Sequence, residues 1–431
     1  MGGRRAWKAL CSGARPTDED APTVSPGWRS GVGSSFLGAV QILIVYNSAL
    51  DARSVSGVQT YFAGVVEHWI AAGHRVDFLV ARSAWPVFQS LYPRSRLISS
   101  DNRFDPNRYL GQTWRYLPVF AWRMATARFT RLPVRYDVVL ACAQFIYEVG
   151  PARTLARRCG AALAVKIHHV LSTQRQPSGL FDRMHLLSER TAARWLNREA
   201  DAILCGTELI AREFNALEAG LGLSASRTFA TGYGIDLDRI PLSVDQPKEF
   251  DAVLLGRVHE HKGVFDAVPL WKLVRERRPE ARLLVIGEGP HRAELMARFA
   301  AAGLSDAVHC SGPVSEPEKV ALVSRARVGL SLSREEGWGL SVNEFLAAGL
   351  PVVAMEVPVF RSVFPDQLDL VPQKDIPAAA SRILHWLGHP EESRRRGVAG
   401  REFVQRYDHR RVAATEIGIL SEAVASRAAR P

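Results

Sequence analysis

The stretch VGLSLSREEGWGLSVNEFLAAGLPVVA (328–354) opens on an apolar run, turns through two glycines, continues at helical periodicity and closes on a second apolar run. Short apolar runs that do not alternate with polar residues fit strands covered on both faces, the condition of a parallel sheet. Strand, helix and returning strand make one right-handed βαβ unit. The same alternation extends upstream through AVLLG (252–256), RLLVIG (282–287) and AVHCSG (307–312), with helical stretches such as GVFDAVPLWKLVRERRP (263–279) between them. An earlier series holds ILIVY (42–46), RVDFLVA (75–81), DVVLACA (137–143), AALAVKI (161–167) and ADAILCG (200–206). The proline- and charge-containing segment LSVDQPKEF (242–250) separates the two series. The expected fold class is therefore α/β, with two Rossmann-like domains facing a cleft. The expected division is a poorly ordered Gly-, Ser-, Pro- and Arg-rich tail over 1–37, a first domain over 38–245, a second over 246–410 and a helical segment over 411–431.

Composition narrows the function classes. The chain has 431 residues, 47% apolar and 23% charged, enough to bury substantial cores and too apolar for wholesale disorder. Five scattered cysteines without a CxxC argue against a disulfide scaffold or structural zinc, and for a reduced, cytoplasmic setting. The run FLGAVQILIVY (36–46) is too short to span a bilayer. A net charge of +11 favours anionic partners: phosphorylated ligands, nucleic acid or an anionic membrane face.

Two segments carry residues suited to chemistry. In GRVHEHKGV (256–264), Arg257 and Lys262 follow a strand at its carboxyl end, where open α/β sheets bind ligands. A guanidinium and an ammonium there suit a diphosphate. His259, Glu260 and His261 invite a metal reading, but neighbours on one short loop rarely converge on an ion, so no metal is expected. In the second segment, Gly337 and Gly339 precede a helix start near Leu340, and a helix N-terminus offers N–H groups to phosphate. Glu336 lies in that loop and Glu344 about a turn into the helix, so both carboxylates can face one pocket and accept hydrogen bonds from sugar or ribose hydroxyls.

Together these segments carry a resemblance. GRVHEHKG (256–263) is similar to the "GR…KG" signature, and EGWGLSVNE (336–344) to the E-x7-E signature, of retaining glycosyltransferases of the GT-B fold, family 4 or "group 1". VSGVQTYFAGVVEHWIAAGHRVDFLV (55–80), ADAILCGTEL (200–209) and GYGIDLDRI (232–240) resemble further segments of that family in the family's order, so the likeness covers about residues 40–410. The resemblance implies metal-independent transfer of a hexose from a UDP- or GDP-sugar to a glycan or lipid-linked acceptor, with retention and no cofactor. It assigns Arg257 and Lys262 to the diphosphate, Glu344 to the ribose and Glu336 to the donor sugar. Gly339 and Leu340 would give N–H groups to the phosphates, Gly57 would approach from across the cleft, and Val314 in GPV (312–314) would border the base. The cleft histidine of the family aligns with His168 in AVKIHHV (164–170), with His169 as the alternative. Trp338, where the family often has Phe, and Ser56-Gly57, in place of a glycine pair, depart from the pattern.

Competing readings make specific demands. A nicotinamide oxidoreductase needs GxGxxG, and GEGPHR (287–292) and GYGIDL (232–237) lack the third glycine. A nucleic-acid or membrane-binding protein driven by charge alone leaves Arg257, Lys262, Glu336 and Glu344 unexplained, so nucleic acid is not expected. A nucleotide-sugar hydrolase or epimerase on the same fold is the nearer alternative. Residues 103–135 interleave Arg103, Arg108, Arg115, Arg123, Arg128, Arg131 and Arg135 with Trp114, Tyr116, Phe120, Trp122 and Phe129. This suits either the headgroup layer of an anionic membrane or a helix with core aromatics and solvated arginines. The expected location is accordingly the cytoplasm, with a peripheral position on the inner membrane face as the variant.

Overall fold

A computed structural model describes residues 38–47, 57–100, 116–174 and 179–430; the tail over 1–37, Ser56 and residues 103–115 fall outside the described residues. The first sheet contains β1 (Gln41–Tyr46), β2 (Arg75–Val80), β3 (Arg96–Ser99), β4 (Val138–Ala141), β5 (Ala162–Ile167), β6 (Ala202–Cys205) and β7 (Thr228–Ala230) in the order β3-β2-β1-β4-β5-β6-β7. The second contains β8 (Phe250–Leu255), β9 (Leu283–Ile286), β10 (Val308–Gly312), β11 (Ala326–Ser331), β12 (Val352–Met355) and β13 (Leu368–Val371) in the order β10-β9-β8-β11-β12-β13. Every pairing between these strands is parallel. The two Rossmann-like sheets expected from the apolar runs are present. Ile42, Leu43, Ile44 and Val45 are fully buried because helices cover both faces of β1.

This order reverses direction between β1 and β4 in one sheet and between β8 and β11 in the other. Such switch points open a crevice beyond the carboxyl ends of the strands, since the flanking helices leave on opposite faces. In the second sheet the segments leaving that point are Gly256–Gly263, after β8, and the loop 332–339, after β11.

The chain crosses between the sheets twice. The helix His409–Ala428 packs against the helix Gly57–Ala71, with Trp69 Nε1 donating to Ala413 O at 2.9 Å. The boundary expected at residue 411 thus falls inside a continuous helix. The two crossings are joined: Ile235 N donates to Tyr407 O at 2.8 Å and His409 N to Ile235 O at 3.0 Å. Below them Lys166 and Glu416, both fully buried, form an ion pair at 2.6 Å. Lys166 Nζ also donates to Thr231 Oγ1 at 2.7 Å, and Tyr61 OH donates to Glu416, so these desolvated charges are ringed by polar partners.

The described part of the arginine- and aromatic-rich segment divides its side chains. Val119 is buried, Phe120 stacks on Tyr147 at 4.3 Å, and Arg123, 3% exposed, donates to Asn47 O at 3.0 Å. Arg123 therefore serves the fold rather than a headgroup layer, which corrects the expectation for that residue. Trp122 and Phe129 are 49% and 69% exposed. Among the described residues no helix is long and apolar enough to cross a membrane.

Candidate active site

The turn after β8 is shaped by its glycine and its cap. His259 accepts a hydrogen bond from His261 N at 3.3 Å and starts the short 3-10 helix Glu260–Lys262. Gly263 ends it at φ +64°, and a Cβ there would lie 1.9 Å from Leu332 O, so only glycine fits. Arg334 N donates to His261 O at 2.9 Å and ties this turn to the loop after β11. Lys262 Nζ consequently reaches Glu336 at 2.5 Å, and Ser333 Oγ donates to the same carboxylate at 2.7 Å. Arg257 is exposed and has no ion pair among the described residues. Arg257, Lys262, Ser333 and Ser341 line one hollow at the switch point. His259 and His261 face each other through their Nδ1 atoms at 2.6 Å.

Gly339, at φ +102°, is the N-cap of the helix Leu340–Ala347. Glu344 lies one turn in and pairs with Lys319 at 2.7 Å, and Lys319 also meets Glu316 at 2.6 Å. Burial alone would pull the Lys319 pKa down; the Glu344 and Glu316 carboxylates more than offset it and hold the pKa above its usual value. The two site carboxylates therefore each pair with a lysine of their own, Glu336 with Lys262 and Glu344 with Lys319. Lys319 is absent from the sequence expectations, although SEPEK (315–319), a capping serine opening a helix right after GPV, is a local signal for it. Val314, half-buried, immediately precedes that helix.

The first sheet supplies the facing wall. Gly57 opens the helix Gly57–Ala71, and a Cβ on it would lie 3.2 Å from Leu340 Cδ1, so two helix N-termini oppose each other. His168 follows β5 and is 6% exposed. Its Nε2 donates to Cys142 O at 3.0 Å, which leaves Nδ1 to accept from Tyr233 OH. Burial, then the neighbouring Lys166 and His169 charges, hold its pKa well below the usual histidine value, so the ring is neutral. Its carbonyl approaches the opposite loop: a Cβ on Gly337 would lie 2.9 Å from His168 O. His169 is half-buried, with its ring 6.4 Å from that of Phe145. Trp338, 4% exposed, packs on Tyr233 at 5.4 Å and Tyr407 at 4.8 Å between ring centres. The tryptophan that departs from the family pattern thus anchors the loop to both crossings.

Residues 242–403 match the family "Glycosyl transferases group 1" and residues 56–228 the "Glycosyl transferase 4-like domain", together most of the chain. Each match spans less than half of the chain, one on each sheet, so the chain resembles the group 1 glycosyltransferases across both sheets. The chain is 28% identical over 212 residues to glycogen synthase of Mycobacterium tuberculosis, covering 48% of this chain and 50% of the relative. It is 33% identical over 204 residues to phosphatidyl-myo-inositol mannosyltransferase of Mycobacterium leprae, covering 45% and 53%. The chain spans about half the length of these curated relatives. Among solved structures, Anabaena Alr3699/HepE in complex with UDP and glucose superposes with a TM-score of 0.68 at 15% identity, covering 89% of this chain and 99% of that one, and so shares the GT-B fold. Within this chain, Gly57, His168, Arg257, Lys262, Glu336, Gly339 and Leu340 come together around the cleft, while Glu344 and Val314 lie beside Lys319 and the Glu316–Ser324 helix.

Proposed function

We propose that this protein is a glycosyltransferase that moves a hexose from a UDP- or GDP-sugar to a glycan or lipid-linked acceptor, with retention and without a metal in the reaction. The observation that carries this reading is the hollow at the second switch point, where Arg257 and Lys262 stand beside the helix N-terminus at Gly339 and Leu340. Breaking the sugar–phosphate bond builds negative charge on the departing diphosphate, and fixed cations and N–H dipoles aimed at it lower the barrier. Lys262, drawn to phosphate, releases Glu336 to accept a hydroxyl of the donor sugar. Glu344, held by Lys319, accepts from the ribose hydroxyls, with Val314 beside the base. His168, bonded on both ring nitrogens, acts as a positioning residue: it fixes the wall against which Gly337 and the sugar rest.

The two curated relatives are named for glycogen and for phosphatidyl-myo-inositol, so the acceptor class rests on this chain's own surface. Exposed Trp122 and Phe129, with Arg128 4.6 Å over the Phe129 ring, favour a membrane-proximal acceptor. Incubating the protein with UDP- or GDP-hexoses and lipid-linked or soluble acceptors, with excess EDTA, tests the reading. Transfer with a product whose anomeric proton matches the donor configuration is expected. Inverted product, or loss restored only by manganese or magnesium, overturns it; sugar release at full rate without any acceptor would identify a hydrolase.

A further inference from the structure

Away from the cleft, the helices Ile376–Gly388 and Pro390–Val404 meet at His389. His385 lies in the last turn of the first helix, His389 one turn further on, and Glu392 in the first turn of the second. His389 Nδ1 donates to His385 O at 2.8 Å, which fixes the tautomer and leaves the Nε2 lone pair available. The two imidazoles stack at 4.4 Å and 29°, so their edges run alongside each other. His385 Nε2 lies 3.3 Å from Glu392 Oε2, and one donor atom from each of the three residues lies within 4.8 Å of the others. Zinc bonds of about 2.0–2.1 Å in a tetrahedron place ligand atoms roughly 3.3–3.4 Å apart. One edge of such a site therefore already has its spacing, and small rotations about the side-chain bonds of exposed residues close the others. A histidine–glutamate ion pair accounts for that edge alone; it gives no role to the oriented His389.

We propose that His385, His389 and Glu392 bind one transition-metal ion of the zinc class, with a fourth position open to water or an anion. Two imidazoles in a three-ligand set select zinc, nickel or copper over magnesium and calcium, which prefer oxygen. Arg382, whose charge is matched by Asp369 at 3.1 Å, and Arg395 and Arg396 line a hollow together with His385 and Glu392. They disfavour a bare cation and favour an anionic fourth ligand on the metal. The ion joins the two helices across Pro390. The second helix backs the site: a Cβ on Gly397 would lie 1.9 Å from Gly349 O, and one on Gly400 would lie 2.9 Å from Leu346 Cδ2, just after Glu344. Bound metal thus stiffens the support of the Leu340–Ala347 helix without touching the reacting groups, and this holds whatever the donor and acceptor prove to be.

Tag-free full-length protein, stripped with EDTA and dialysed, is titrated with Zn²⁺ by calorimetry, and its Tm is read with Zn²⁺ and with Mg²⁺. One equivalent of Zn²⁺ is expected to bind and raise Tm, with Mg²⁺ inert. His389→Asn retains an amide where Nδ1 bonds and lacks Nε2; with Glu392→Gln it is expected to weaken Zn²⁺ by at least about tenfold while keeping the wild-type Tm in EDTA. Wild-type protein that binds no stoichiometric Zn²⁺, variants that bind it as wild type does, or an equal response to Mg²⁺ each overturn the site.

Discussion

The two sheets repeat one strand order and put charge to opposite uses. Behind the first, Lys166 and Glu416 are fully buried and paired at 2.6 Å, joining a strand to a helix 250 residues later in the chain. At the second, Lys262 keeps 28% of its side chain exposed and holds Glu336 in a hollow, while Arg257 stands exposed. An ammonium with no exit can only organise the protein around it, since unpairing it inside costs several kcal/mol per ion. One at the rim can exchange its carboxylate for a phosphate at little cost, because water screens the change. The same residue types are structural in one sheet and open to ligand in the other, and burial decides which.

Removing one partner of the buried pair is the largest test of that contrast. Lys166→Met leaves Glu416 buried with only the Tyr61 and Thr231 hydroxyls as partners and no countercharge, and is expected to cost about 3–5 kcal/mol, read as a lower midpoint in urea. The double variant Lys166→Met/Glu416→Leu should recover most of the loss, because it buries no charge. A single variant with wild-type stability would show that the pair is not what holds the C-terminal helix on the first sheet.

Arg257→Ala and Lys262→Ala should do the reverse, leaving stability alone and lowering kcat/KM. Each removes a charge-assisted hydrogen bond to phosphate of about 1.5–3 kcal/mol, or roughly ten- to a hundredfold, growing if the bond tightens in the transition state. Unchanged turnover in either folded variant would remove the diphosphate from this hollow.

What the sequence disclosed follows the same line. ILIVY and AALAVKI were legible as strands because both faces of a central parallel strand are covered and the runs are apolar but for Lys166. β3 (RLIS), β7 (TFA) and β13 (LDLV) carry no such run, since each lies at the edge of its sheet and is short and partly exposed. Arg257, Lys262, Glu336 and Glu344 stood out because each ligand-facing loop is local in sequence. The Lys166–Glu416 pair did not: no spacing rule links residues so far apart, although a glutamate in the stripe Val412, Ala413, Glu416, Ile419, Leu420 and Ala423 hints that something buried must meet it. The separate lysines of the two carboxylates likewise appear only once Lys319 is placed beside Glu344.

Tyr233→Phe probes the seam between the two regimes. Tyr233 OH donates to His168 Nδ1 while its ring packs on Trp338. Losing the hydroxyl strands a buried acceptor at about 1–2 kcal/mol. If His168 positions the wall, kcat should fall more than KM rises; equal stability and kinetics would reduce the hydroxyl to a bystander.

The smallest expected effect is on pH, and it bears on the claim that His168 is structural. Burial first, then the Lys166 charge, lowers its pKa well below the ordinary value near 6.5. Below about pH 6.5 the unfolded chain takes up a proton that native His168 refuses, so the unfolded state binds more protons and stability drops as the pH is lowered. The contribution is complete above about pH 6.5 and is lost progressively as pH drops, at no more than about 1.4 kcal/mol per pH unit for one histidine. His409, 9% exposed, has its pKa lowered chiefly by burial and adds a slope of the same sign. Urea midpoints measured between pH 7.5 and about 5.5, above the range where carboxylates dominate, should therefore decline in the wild type. His168→Asn, which cannot titrate there, should decline less steeply. Parallel slopes in the two proteins would mean that His168 takes up its proton in the folded state, and a ring free to do so would belong to the open chemistry of the cleft rather than to its wall.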